Sequence, residues 1–216
     1  MDEFQKHIAQ LRDDFNFSTL SEKDVEANPF FQFEKWLLEA VAYKVPEVQA
    51  MQLCTVSANN SPSSRIVYLR EFKNHQFIFY GNYESRKGKE LAYNPKAAIN
   101  FFWPQLERQI RIEGEVKIIS AELSDQYFNS RPRESQIGAW ASNQSNKILS
   151  REELEEKNRH FEKQFKNKNV NRPPFWGGWA LHANYYEFWQ GRKSRLHDRI
   201  TYSLTENSWQ INRLAP

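Results

Sequence analysis

The spacing of apolar positions changes character along the chain. Phe4, Ile8, Leu11 and Phe15 recur at intervals of four, three and four, so residues 2–15 are predicted to form an amphipathic helix. In the polar stretch that follows, Ser21 and Asp24 have the pattern of a capping box. Pro29 stands where a first helical turn accepts it, after Asn28 as N-cap. That helix is predicted to run to about Tyr43, with Phe33, Trp36, Leu37, Ala40 and Val41 inward.

After Pro46 the period shortens to that of strands. Residues 51–57 and 64–70 read as strands around the turn Asn59-Asn60-Ser61-Pro62, and 76–81 as a third. A short helix follows Ser85 and breaks at Asn94-Pro95. Strands are predicted over 96–103 and 108–119, with Gly114 marking a bulge or a close backbone approach. A helix over 121–130 stops before Pro132, and a charged helix with a solvated face covers 150–167. Strands resume near 178–190, 197–204 and 208–213.

Short sequential strands with helices before and between them favour an antiparallel barrel or sandwich with helical additions. The regular alternation of a doubly wound sheet is missing. No repeat or linker divides the chain. The expected organisation is a single domain over 1–216, with a helical segment 1–45 packing on a core of 46–216.

Composition narrows the function classes. The longest apolar cluster, Ala97 to Trp103, is interrupted by Asn100, which excludes a membrane-spanning helix. The polar N-terminus carries no secretory pattern. Cys54 is the only cysteine, which suits a reducing cytoplasm and excludes thiolate metal sites. Its apolar strand context predicts a buried structural thiol. Net charge is only +3 with no basic tract, which makes a nucleic-acid module a poor reading. Aromatic residues reach 15%, enough for a ring-rich core, a large subunit interface or a flat ligand. Dinucleotide, P-loop, zinc-protease and serine-hydrolase motifs are all absent, and the five histidines lack ligand-like spacing, so no metal is expected.

Four clusters carry candidate chemistry. In Arg65-Ile66-Val67-Tyr68-Leu69-Arg70, arginines enter an apolar strand and need partners. In Tyr80-Gly81-Asn82-Tyr83-Glu84-Ser85-Arg86-Lys87, a strand runs into a helix N-terminus beside two cations, a credible phosphate site. Tyr127 and Arg131, four apart, share a helical face, and Ser135 follows in the turn after Pro132. Phenol, guanidinium and hydroxyl together clamp an anion, with Gln144 and Ser145 just beyond. If 195–199 is extended, Arg195, His197 and Arg199 point one way and need anions to relieve them. Jointly these describe a site for two phosphates and flat rings, whose chemistry must come from a cofactor.

The clusters, in this order, resemble the pyridoxamine 5′-phosphate oxidase family. The most specific pieces are Ser130-Arg131-Pro132-Arg133, Ser135-Gln136-Ile137-Gly138-Ala139-Trp140, Phe188-Trp189-Gln190-Gly191 and Arg195-Leu196-His197-Asp198-Arg199. The resemblance implies an antiparallel FMN-binding split barrel with flanking helices, built as a homodimer with FMN at the subunit interface. It implies that Arg65, Ile66, Val67 and Tyr68 line the flavin, with Arg65, Arg86 and Lys87 near its phosphate. Tyr80 and Gly81 contact the cofactor, Gln109 reaches the ring edge, and Gln144, Ser145, Trp189 and Arg199 complete the site, some from the partner subunit. Tyr127, Arg131 and Ser135 hold the substrate phosphate, and Arg195 and His197 contact the pyridine.

The reaction implied is oxidation of pyridoxine or pyridoxamine 5′-phosphate to pyridoxal 5′-phosphate, with hydride passing from C4′ to flavin N5 and dioxygen leaving as hydrogen peroxide. Arg195 and His197 are expected to position C4′ rather than act as strong bases. Three departures stand out. Arg70 replaces the family's usual lysine near cofactor and substrate. Gly81 stands where a hydroxyl residue is frequent, and around Arg12 the segment Asp13-Asp14-Phe15 matches only loosely. Arg70 and Gly81 keep open an alternative, a non-catalytic flavin or vitamin-B6-phosphate carrier on the same scaffold.

Overall fold

The computed structural model describes residues 14–206 and 208–216. Helix α1 spans Pro29–Ala42, and the Asn28 side chain accepts from the Phe30 N–H at 3.0 Å. Strands β1 (Ala50–Val56), β2 (Pro62–Tyr68), β3 (Glu71–Lys73) and β4 (Gln76–Asn82) follow. Helix α2 (Arg86–Tyr93) leads to β5 (Lys96–Trp103), and a short 3-10 turn (Pro104–Leu106) to β6 (Arg108–Ile118). Three helices come next, α3 (Ala121–Ser130), α4 (Arg133–Ala141) and α5 (Arg151–Gln164). Strand β7 (Trp176–Gln190), a second 3-10 turn (Lys193–Arg195), β8 (Asp198–Thr205) and β9 (Ser208–Arg213) close the chain.

Among the described residues the strands form one sheet in the order β2-β1-β5-β6-β7-β4-β3, with β8 pairing β7 and β9 pairing β8. The pairs β1–β2, β3–β4, β4–β7, β7–β8 and β8–β9 are antiparallel. A mainly antiparallel sheet with flanking helices is the class read from the sequence.

The chain divides into two compact units. The first comprises residues up to Val48, Asn100–Ile112 and Asn184–Pro216. Its core is aromatic: Phe33 lies 5.2 Å from Phe101, and Trp36 meets Phe188 edge-on at 5.2 Å. Arg108 is buried there, stacked on Trp36 at 4.3 Å and hydrogen-bonded to Gln190 at 2.9 Å. Glu39 completes an ion pair with it, so the buried charge is compensated. The second unit comprises Gln49–Ile99 and Glu113–Ala183. Met51, Leu53, Phe77, Phe79 and Ile99 form its fully buried centre. Gly114 sits so close to β7 that a Cβ would fall 2.1 Å from the His182 carbonyl oxygen, which is the backbone approach its place in a strand predicted.

Several local expectations are corrected. Ser21 and Asp24 do bond to each other, but they close a turn and start no helix. Val41 points outward at 55% exposure, because the buried face of the helix runs through Phe33, Trp36 and Ala40 and Val41 lies off it. Asp14 and Phe15 are not helical, and residues 2–13 of the first predicted helix lie outside the described residues, as does the Arg12 contact. Cys54 alternates with fully buried Leu53 and is only half-buried. Arg70 leaves the strand, since β2 ends at Tyr68.

Candidate active site

The second unit holds a cavity of about 630 Å³. Its walls carry five cations, Arg65, Arg70, Arg86, Lys87 and Arg131, and no carboxylate. One wall is strand β2, whose Ile66, Val67 and Tyr68 supply an apolar face. Ile66 is 65% exposed, so β2 keeps that face uncovered within the chain.

The first group of cations is built around the start of α2. Ser85 caps the helix, accepting from the Gly88 N–H at 3.3 Å and donating to the Asn82 carbonyl at 2.6 Å. Glu90, one turn on, accepts from Thr55 and Ser63 at 2.5 and 2.6 Å, from Arg86 at 2.9 Å and from Arg65 at 3.2 Å. Burial opposes its charge, but those bonds outweigh it and hold the carboxyl down to about 2. Glu90 therefore anchors Arg65 and Arg86 from behind the cavity wall.

Lys87 is buried beside Arg65. Its ammonium donates to Gln144 at 2.8 Å and to Ser85 at 3.2 Å, and neither partner is charged. Burial, with Arg65 adding repulsion, brings its pKa down to about 8. Gly81 makes room for this lysine: a Cβ there would lie 3.0 Å from Lys87 Nζ.

The second group centres on Arg131, the residue that ends α3. Its guanidinium lies over the Trp176 ring at 4.7 Å and the Phe128 ring at 5.6 Å. Burial lowers its pKa, and Arg70 repels it in addition. Its Nη1 is buried without a hydrogen-bond partner. Tyr127 stacks on Tyr80 at 3.8 Å, and both rings are nearly parallel to Trp176. Burial and Glu71, which accepts from its hydroxyl at 3.1 Å, raise the Tyr80 pKa beyond the usual phenol range. Ser135 does not reach this cavity. The segment after Pro132 is helix α4, not a turn, and Ser135 faces a neighbouring cavity of about 260 Å³ that shares Arg131, Gln144 and Trp176.

The first unit carries a separate cluster. The Trp189 and His197 rings pack 4.6 Å apart with their planes tilted by 42°, and Phe15 meets both rings edge-on. His197 Nδ1 accepts from the Arg192 N–H at 3.1 Å. Burial, then the charge on Arg195, lowers its pKa and favours the neutral imidazole. Residues 195–199 are not extended: Arg195 has φ 61° within a 3-10 turn, and β8 starts only at Asp198. Arg199 is relieved by Glu187, a buried carboxylate that also pairs with Arg111. Asp198 accepts from Arg192 and Arg213, both at 2.8 Å. Among the described residues, no three His, Cys, Asp or Glu side chains gather as a metal site requires.

A family model described as pyridoxamine 5′-phosphate oxidase matches residues 37–164, well over half of the chain. A second, described as the pyridoxine 5′-phosphate oxidase C-terminal dimerisation region, matches residues 176–216. The chain belongs to the pyridoxine/pyridoxamine 5′-phosphate oxidase family. A family member from Nostoc punctiforme is 50% identical over 98% of this chain and 99% of its own length. One from Leptospira interrogans is 50% identical over 97% of this chain and 98% of its own. Both are called pyridoxine/pyridoxamine 5′-phosphate oxidase. Among solved structures, PhzG from Burkholderia lata, in complex with tetrahydrophenazine-1-carboxylic acid, superposes with TM-score 0.86 at 27% identity, covering 92% of this chain and 98% of that one. An FMN-binding protein of Nostoc punctiforme related to the oxidases shares the fold, with TM-score 0.69 at 17% identity over 89% of this chain and all of that one.

Within this family chain, the cavity gathers Arg65, Ile66, Val67, Tyr68, Arg70, Tyr80, Gly81, Arg86, Lys87, Tyr127, Arg131, Gln144 and Ser145. Gln109, Trp189, Arg195, His197 and Arg199 are absent from its walls and belong to the first unit. Sequence reasoning passed over Trp176, which lines both cavities, and the two buried carboxylates Glu90 and Glu187. Trp176 had a signal, since it stands between a proline pair and a glycine pair in Pro173-Pro174-Phe175-Trp176-Gly177-Gly178. Glu90 had one local signal, Arg86 four residues before it on the same helix, whereas Arg65 meets Glu90 and Arg199 meets Glu187 only through the fold.

Proposed function

We propose that this protein is an FMN-dependent oxidase that converts pyridoxine or pyridoxamine 5′-phosphate to pyridoxal 5′-phosphate, in synthesis and salvage of vitamin B6. The observation that carries the reading is the cavity wall with two cation groups, an apolar strand face, stacked rings and no carboxylate. The FMN fit is tested by the donors themselves. Lys87 is buried with only neutral partners, so a phosphate at the α2 N-terminus supplies the missing counter-charge. The unsatisfied Nη1 of Arg131 calls for a second anion, the substrate phosphate.

FMN, when bound, supplies the hydride acceptor and the route to dioxygen. The chain's own residues do the placing. Arg65, Arg86 and Lys87 hold the cofactor phosphate, and Ile66, Val67 and Tyr68 offer a flat apolar wall. Tyr127, Arg131 and Ser135 fix the substrate phosphate, and Arg70 adds positive charge between the two sites. Trp189, Arg195, His197 and Arg199 lie in the segment matched to the dimerisation region, and they complete the site in a homodimer. His197, kept neutral, orients the C4′ group without adding a third cation beside Arg195 and Arg199.

Peroxide release separates this reading from the carrier alternative. Purified protein supplied with pyridoxine 5′-phosphate in air is expected to release one hydrogen peroxide per pyridoxal 5′-phosphate formed. Bound flavin without peroxide from either phosphorylated substrate would favour a carrier.

A further inference from the structure

We propose that Trp176 is a positioning residue, the aromatic wall that holds Arg131 flat and unpaired so that its donors are free for the substrate phosphate. The proposal deepens the assignment of Arg131 to that phosphate and rests on it.

The arginines of this protein are held in two different ways. Arg65 is held by Glu90 and Arg199 by Glu187, both buried carboxylates. Each acid takes up donors and cancels charge. Arg131 is held the other way, without an acid. It follows the last turn of α3 with extended backbone, φ −73° and ψ 149°, so the helix does not fix its side chain. Among the described residues no carboxylate pairs with it, and its Nη1 is buried without an acceptor. What it does have is the Trp176 ring at 4.7 Å, with Phe128 at 5.6 Å.

An indole face is the strongest cation–π partner among side chains. It attracts a guanidinium through the plane and leaves the N–H edge untouched, whereas a carboxylate would occupy that edge. The ring's own orientation is fixed. Trp176 is 7% exposed and opens β7 opposite Asn82 of β4. Its carbonyl accepts from Arg172, which is itself tied to Asp125 at 2.6 Å. The Tyr127 ring lies within 3° of the Trp176 plane and the Tyr80 ring within 12°, so three parallel rings set one plane for the site. Trp176 also lines both the large cavity and the one that Ser135 faces, placing Arg131 at the boundary between them.

The test uses the FMN-loaded enzyme and compares Trp176→Leu with Trp176→Phe. Loss of the aromatic face in Trp176→Leu is expected to raise KM for pyridoxine 5′-phosphate and the inhibition constant of inorganic phosphate about tenfold, the change falling on KM rather than kcat. Activity on unphosphorylated pyridoxine should not share the loss, and Trp176→Phe should recover most of the phosphate affinity. A purely structural role would instead lower flavin content and weaken both substrates alike, and that result would overturn the proposal. So would an unchanged phosphate inhibition constant. Should Trp176→Leu fail to fold, Trp176→Met makes the same comparison. Calorimetric titration with inorganic phosphate reads the pair directly, even if the wild-type protein proved to oxidise neither substrate.

Discussion

Lys87 shows how burial sets the behaviour of a single residue. With neutral Gln144 and Ser85 as partners, its pKa falls to about 8. In the free protein the group is therefore losing its proton just above neutrality, while the unfolded chain keeps it up to the ordinary value of 10.5. Between those values the unfolded state binds more protons, so this group's contribution to stability rises with pH. Ligand binding runs the other way. A phosphate dianion favours the charged lysine, so affinity falls as pH climbs through about 8, approaching tenfold per unit for a single coupled proton. Titrating apoprotein with FMN between about pH 7 and pH 9 should show this fall, and Lys87→Met should bind weakly with a flat profile. A flat profile in the wild type would contradict the assignment. The cations of the site were legible in the sequence because Arg65 enters an apolar strand and Arg86, Lys87 and Arg131 sit at helix ends. Their acids were not, since Glu90 meets Arg65 across 25 residues and only the fold supplies the meeting.

Helix α2 shows how an element is made to serve the site. Its eight residues are too few to be stable alone, so the Ser85 cap and packing must hold it. Gly88 is required for that packing, because a Cβ would lie 2.0 Å from the Tyr83 carbonyl oxygen. Alanine is the better helix former by about 1 kcal/mol, while forcing a side chain into a closed contact costs about 1–3 kcal/mol or more. The clash wins. Gly88→Ala should lower Tm by several degrees and weaken FMN binding together, which thermal melts with and without cofactor would measure. A variant as stable as wild type would show that the helix moves without cost. A cap and prolines made this helix and α3 readable, with Ser85 and Asn94-Pro95 bounding the first and Pro132 stopping the second, while the Ser120 cap of α3 came only with the structure. Helix α4 was not readable, because its N-cap is Pro132 with no side-chain cap and its pattern is short. The 195–199 segment failed as a strand for a local reason: Ser194 and Arg195 both take positive φ, a turn that alternation of charged residues does not reveal.

At the scale of the whole molecule, the antiparallel class followed from the rhythm of short strands and turns. The distribution of site residues did not. One group lines the cavity of the second unit, and the other lies in the segment matched to the dimerisation region. Edge strand β2 exposes Ile66 and Tyr68, and α1 exposes Phe31, Leu38 and Val41, apolar surface of the kind that marks interfaces. Light scattering is expected to give twice the chain mass, and deletion of residues 208–216, which removes β9 and Arg213, should lower both the dimer fraction and the flavin content. A wild-type monomer at micromolar concentration would contradict a shared site.

The most direct test of the account is anaerobic addition of pyridoxine 5′-phosphate to the flavin-loaded protein. Bleaching of the flavin band, reversed on admitting air, is the predicted result and would show hydride transfer into the site described. A flavin that stays oxidised with both phosphorylated substrates would contradict it.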